Sequence, residues 1–202
     1  MKTKAEYIFD KVIKDCFHKT LKPLGFKKKG NNFYLPLPEL GQIINVQKSS
    51  YGSKTNISFT INTGIFIPEY FLAVYAYENE IPDYPIEPVC AVRQRIGELR
   101  GENDKWYEIN DNTNEQVLLA QMQENLDQFI LPYFAKLSTR ALLIQALDAS
   151  QLPLPILGKL MLYGELKEFE KAKQEYALVT ASTRNIRVLT DAKELMAKYG
   201  LD

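Results

Sequence analysis

Histidine is all but missing from this chain of 202 residues: His18 is the only one. Cysteine is nearly as scarce, with Cys16 and Cys90 far apart in sequence, and Trp106 is the single tryptophan. Two cysteines exclude a disulfide framework and a zinc site built on cysteine pairs. Together with one histidine they do not complete an ordinary structural zinc site. A Ser-His-Asp or Cys-His arrangement would rest wholly on His18, and Cys16, two residues away on the same predicted helix, points elsewhere. The phosphate-binding glycine loop, the metal-ligand helix motif and the nucleophile elbow are all missing. No apolar run reaches membrane-spanning length. The first residues, MKTKAEYIFDKVIKDCF, carry charges every few positions, unlike a signal peptide. These gaps lead us to expect a reduced, cytoplasmic protein with no metal, no cofactor and no membrane partner. An enzyme based on carboxylates or arginines stays open.

What is present is ordinary for a globular protein: 46% hydrophobic and 25% charged residues, with 12 Tyr and 10 Phe suited to sheet packing. The length fits one domain, or one domain with an extension. Net charge is zero, 25 basic against 25 acidic residues, but unevenly spread. Residues 1–30 hold nine Lys against Glu6, Asp10 and Asp15. Residues 68–132 hold thirteen acids against Arg93, Arg95, Arg100 and Lys105. Solvated helix faces and loops account for this; a basic patch for an acidic partner is the alternative.

The spacing of Ile8, Val12, Cys16 and Phe17 predicts an amphipathic helix over 4–22, ended by Pro23 and Gly25. His18 falls near its C-terminal end, where a cation is favoured. It reads as a surface residue, with a catalytic base as the alternative. Strands follow. Phe26–Lys29 and Phe33–Leu37 flank a Gly30-Asn31-Asn32 turn, which suggests a hairpin. Gln42–Lys48 and Asn56–Phe66 are longer strands, and 69–77 reads as a short helix. Val89–Arg100 reads as a strand with Cys90, Val92 and Ile96 inward, and Trp106–Ile109 as another. From Thr113, the expected N-cap, the period becomes helical until Pro132. Helices are expected near 139–149, 153–163, 165–178 and 182–199. Tyr163, Ala172 and Tyr176 lend 160–176 a tetratricopeptide-like flavour without the full repeat; a helical hairpin is expected there.

The fold class expected is α+β: an N-terminal helix, an antiparallel sheet of about five or six strands, a packed helix and a helical C-terminal extension. The division expected is 1–135 for the α+β domain and 136–202 for the extension.

Period-two alternation gives the most informative surface. If Ile57, Phe59 and Ile61 face the core, then Ser58, Thr60 and Asn62 face away. Asn45 and Gln47 share a face with Ile43, and Arg93 shares one with Arg95. Stacked, Asn45, Gln47, Thr60, Asn62, Arg93 and Arg95 make a face of amides, hydroxyls and guanidinium groups, rimmed by Lys48, Tyr34 and Trp106. Such a face suits an anion or a polar peptide; an antiparallel sheet with one face in water requires the same alternation. The run Lys27-Lys28-Lys29 near Phe26, Phe33 and Tyr34 suits nucleic acid, but lysines protecting a sheet edge explain it too. A nucleic-acid partner is not expected.

In order along the chain, LKPLGFKKKGNNFY (21–34), INVQKS (44–49), FTINTGIF (59–66), CAVRQRIGEL (90–99) and KWYEI (105–109) resemble the bacterial DUF4304 family over about residues 5–135. The resemblance implies a compact α+β domain and, the family being of unknown function, no reaction. Gln47, Asn62, Gly64, Arg93, Arg95, Gly97 and Trp106 fall in its motifs; Tyr107 stands where the family often has a second Trp. The expectation is a non-enzymatic binding protein, of an immunity or regulatory type, that holds a protein partner. The alternative is a small-molecule or nucleotide-binding enzyme acting at Asn62, Gln47, Arg93 and Arg95.

Overall fold

The computed structural model describes residues 2–75 and 80–201. A first helix, α1, runs over 4–21, built from Lys4–Lys11, a π-helical stretch Val12–His18 and Lys19–Leu21. Thr3 caps it: its hydroxyl accepts from Glu6 N while the Glu6 carboxylate accepts from Thr3 N. The apolar spacing read from the sequence is its buried face, with Ile8, Phe9, Val12, Cys16 and Phe17 all out of water.

The sheet is antiparallel with six strands: β1 (Lys27–Lys29), β2 (Asn32–Pro36), β3 (Gly41–Lys48), β4 (Ile57–Phe66), β5 (Val92–Arg95) and β6 (Tyr107–Ile109). Its order is β1-β2-β3-β4-β5, with β6 also on β4. The β1–β2 turn is tighter than expected, two residues long, with Gly30 at φ +60° in the first central position. β5 pairs with Asn62–Ile65 and β6 with Ile57–Phe59. The two therefore lie end to end along one side of β4, interrupted by an excursion over 96–106.

That excursion corrects the strand expected over Val89–Arg100. Only Val92–Arg95 is a paired strand; Val89 closes a 3-10 turn and Ile96–Leu99 turns into the short helix α3. Here α2 is Pro68–Val74, with Tyr75 as its C-cap; residues 76–77 of the helix expected over 69–77 lie outside the described ones. The polar Gln94 had already broken the inward period-two pattern between Val92 and Ile96. Cys90 is corrected as well: it packs on the opposite side of the sheet from Val92 and Ile96, with Ile43, Phe66 and Phe71.

The long helix α4 runs over 115–136. Its cap is Asn114, which accepts from Val117 N, while Thr113 accepts from Asn110 N. Pro132 does not end it. A π-helical stretch, Asn125–Ile130, widens the preceding turn, and Leu131 N bonds Leu126 O five residues back. The looser register accommodates a ring that lacks a donor. Four helices follow: α5 (Arg140–Asp148), α6 (Gly158–Glu165), α7 (Phe169–Ser182) and α8 (Ile186–Lys198). α6 starts five residues later than expected, because Pro153 and Pro155 bar the residues before them from helical geometry. α6 and α7 form the expected helical hairpin.

One sheet face, carrying Phe33, Ile44, Val46, Phe59, Ile61 and Ile65, packs against α1 and α4. Phe9 meets Phe59 edge-on at 5.4 Å, and Phe17 stacks on Phe33 at 5.8 Å. Each such ring contributes about 1.5–3 kcal/mol by leaving water. Gln42, buried on this side, donates to Phe134 O at 2.8 Å and so ties β3 to α4. Leu143, Leu147, Leu160, Leu162, Ala172 and Met196 from the last four helices belong to the same continuous cluster.

Candidate functional site

The other face of the sheet is divided. Toward the C-terminal end of β4 it is covered by Phe71 of α2 and by Cys90, packed on Ile43 and Phe66, with Tyr34, Tyr75 and Val89 beside them. Gly64 permits that cover: a methyl there would meet Cys90 Sγ at 2.5 Å and Cys90 Cβ at 2.9 Å. Burial raises the Cys90 thiol well above its ordinary pKa, with Glu87 adding to the effect, so it is no thiolate nucleophile.

The remaining half is the polar face. Register sets Asn32, Asn45, Asn62 and Arg95 in one row across four strands. Their amides interlock. Asn62 Nδ2 donates to Asn45 Oδ1 at 3.2 Å and to Gln47 Oε1 at 2.8 Å; Asn45 Nδ2 donates to Asn32 Oδ1 at 2.8 Å. Asn62 thus uses both of its N–H groups and is buried, while Gln47 is exposed.

Arg93 and Arg95 stand on this face as the alternation predicts, and each already holds a carboxylate. Arg93 grips Glu87 with Nε to Oε1 at 2.6 Å and Nη2 to Oε2 at 3.2 Å. The Glu87 side chain is 6% exposed and that of Arg93 is 52% exposed. The hydrogen bond from this pair raises the guanidinium pKa further. Arg95 Nη1 reaches Asp104 Oδ2 at 2.7 Å, and Trp106 Nε1 donates to the same oxygen at 3.0 Å. The guanidinium lies 5.7 Å from the Trp106 ring centre. Those bonds, the indole first, hold the Asp104 carboxyl below its usual range. Glu98 Oε2 accepts from Arg95 N at 2.7 Å and pairs with no cation among the described residues.

Asn62, Glu87, Arg93, Arg95, Glu98 and Asp104 line a cleft of about 430 Å³. Three carboxylates against two guanidinium groups leave it with one surplus negative charge. The anion trap suggested by two neighbouring arginines is therefore replaced by a mixed-charge cleft with acidic excess. Thr60 is on the right face but is fully buried, its hydroxyl donating to Lys105 O at 2.8 Å to hold the excursion. Trp106 is 36% exposed and borders the Arg95–Asp104 pair.

Two rim residues are placed differently. Lys48 pairs with Phe59, so the period of two sends it to the helix side, where its ammonium sits 4.0 Å from the Phe9 ring centre. Tyr34 packs in the apolar cover, edge-on to Tyr84 at 5.6 Å. The residues that sequence reasoning missed are Glu87, Glu98 and Asp104. Their arginine partners lie three to nine positions away, across a bend and an excursion that no periodicity announces.

Among the described residues, no group of three or more His, Cys, Asp and Glu is placed to hold a metal ion, and no helix is long and apolar enough to cross a membrane. Fold and site together define an α+β protein: an antiparallel sheet, α1 and α4 on one side, and on the other the short α2 and a charged cleft beside an amide ladder. The chain belongs to the family of the domain of unknown function DUF4304, whose pattern matches residues 17–136. No curated protein and no solved structure matches it.

Proposed function

We propose that this chain is a cytoplasmic, non-enzymatic binding protein, of an immunity or regulatory type, that holds a protein partner on the polar sheet face. The observation carrying this reading is the exposed cluster of Arg93, Arg95 and Trp106, fixed in advance by Glu87 and Asp104. Arg and Trp are the side chains that concentrate binding energy at protein interfaces, and side chains already held by neighbours lose little entropy on docking. The amide ladder beneath them presents donors and acceptors to a polar partner surface.

The test is capture of partners from a lysate of the native host. The full-length protein should recover one partner in near-equal amount, and the double variant Arg95→Glu, Trp106→Ala should lose it while keeping its circular dichroism spectrum. Recovery of the same proteins by both would overturn the reading.

The cleft volume favours a second reading, because about 300–1,000 Å³ is the usual size of a small-ligand site. A small-molecule or nucleotide-binding enzyme would act there with Asn62 and Gln47 alongside, its ligand's anionic groups taking Arg93 and Arg95 from Glu87 and Asp104. Thermal unfolding in the presence of nucleoside phosphates or dicarboxylates separates the two readings; a rise in Tm that Arg93→Ala abolishes would favour the small ligand.

A further inference from the structure

The sheet ends in β1 on one side and in β5 and β6, end to end, on the other, and β1 and β5 differ. β1 ends it with three exposed lysines, Lys27–Lys29, and the Tyr84 hydroxyl bridges to Lys27 O and Asn32 O. Lysines on an edge strand deter pairing with another chain. β5 ends it with no lysine and, among the described residues, no strand beyond it. α3 follows it directly, and Pro153 and Pro155 of the loop before α6 share a shallow cleft with Arg93, which is itself exposed. Arg95 N–H donates to Glu98 Oε2, away from β4. In an antiparallel ladder the residue two positions earlier presents its backbone to the same side, so Arg93 N–H and C=O point outward as well.

A cleft opens on each side of this edge. On the polar face is the one already described, with Glu98 as its unpaired carboxylate. On the helix side, a second cleft of about 420 Å³ is lined by Gln94, Tyr133, Leu137, Leu142 and Ala146, between α4 and α5. Gln94 borders both clefts, so only the thickness of β5 separates them. The Tyr133 hydroxyl is buried there and, among the described residues, has no hydrogen-bond partner. An unsatisfied buried hydroxyl calls for explanation, and a ligand backbone running past β5 would bring carbonyls near it.

We propose that the β5 edge receives an extended, basic segment of a partner protein as an added strand, with alternate side chains entering the two clefts. Successive side chains of a strand point to opposite faces. A Lys or Arg would meet Glu98 on the polar side, and the next residue, apolar, would enter between Leu137, Leu142 and Ala146. Backbone bonds to Arg93 provide affinity and the two clefts provide the sequence pattern, as in strand addition generally. The inference rests on the reading that the neighbouring face binds a protein, and it names the partner's chemistry and conformation.

The probe is a fluorescein-labelled peptide of about five residues, acetyl-Lys-Leu-Lys-Leu-Lys-amide, followed by anisotropy with the full-length protein. Its control, Lys-Lys-Leu-Leu-Lys, has the same composition without alternation and should bind about tenfold more weakly. Only alternate amides of an added strand face the protein. N-methylation at the two leucines or at the central lysine should therefore weaken binding unequally, one by about tenfold and the other hardly at all. Glu98→Lys and the surface variant Leu142→Glu should each weaken it, and Lys28→Glu at the opposite edge should not. Equal binding of the two sequences, or equal effects of the two methylations, overturns the proposal. If Glu98→Lys and Leu142→Glu leave a natural partner bound that Arg95→Glu, Trp106→Ala releases, the edge proposal falls and the face reading stands. If that double variant also keeps the partner, the face reading itself has failed.

Discussion

The residues that give the polar face its shape are the small ones and the amides. Asn62 satisfies two acceptors at once, Asn45 Oδ1 and Gln47 Oε1. Asn62→Ala should cost about 1–2 kcal/mol in urea unfolding, because the half-buried Asn45 Oδ1 loses its donor and a buried side chain is truncated. At Gly64 a methyl would overlap Cys90, so Gly64→Ala should cost about 1–3 kcal/mol. The added change Cys90→Ala should return part of that loss, since the clash needs both side chains. Asp104 offers a pH test. Its carboxyl titrates below the usual range because Trp106 and Arg95 bond the charged form. A depressed carboxyl contributes stability above its unfolded pKa and loses it as pH falls through the folded value. Trp106→Phe removes the first of those bonds, so carbon-detected NMR titration should find the Asp104 pKa moved up. All six residues chosen from the alternation, Asn45, Gln47, Thr60, Asn62, Arg93 and Arg95, share one face. The period of two is a purely local property and therefore legible. Thr60 obeyed the same period, yet its hydroxyl is engaged by Lys105 O, a contact across 45 positions that no local pattern carries.

At the scale of elements, α1 and the first four strands were readable because each has its own periodicity and its own punctuation. The segment over 96–106 was not. It leaves the side of β4 after Arg95, turns through α3 and returns as β6 opposite Phe59. This detour makes the cleft, since it brings Glu98, Asp104 and Trp106 to Arg95. Nothing in its composition separates a detour from a longer strand. Helix ends were misread for a similar reason: Thr113 and Asn114 are both good caps, and backbone geometry chooses between them. Asn114 accepts from Val117 N while Thr113 closes the preceding turn. Asn114→Ala should therefore cost about 1 kcal/mol in chemical unfolding.

Across the whole molecule, the sequence suggested a domain over 1–135 with an appended helical tail, and the family pattern ends at residue 136. The packing joins the two more closely than the word extension implies. Leu137, Leu143 and Leu147 are almost fully buried in the cluster that also holds Phe26, Phe134 and the inner sheet face. Arg140 of α5 pairs with Glu69 of α2. A chain ending at Lys136 would leave α4 without its cover at Phe134 and α2 without its ion pair. Each buried Leu lost or uncovered removes about 1.5–3 kcal/mol of favourable burial, against a total stability of only about 5–15 kcal/mol. At about 2–4 °C per kcal/mol for a chain of this size, removal of residues 137–202 should lower Tm by about 10 °C or more. The remaining fragment should also expose enough apolar surface to bind a hydrophobic dye. Equal Tm values for the two chains would mean that the last four helices rest on the sheet domain without supporting it. The edge of β5 would then need its second cleft wall from helices that are free to leave, and strand addition there would depend on their being docked.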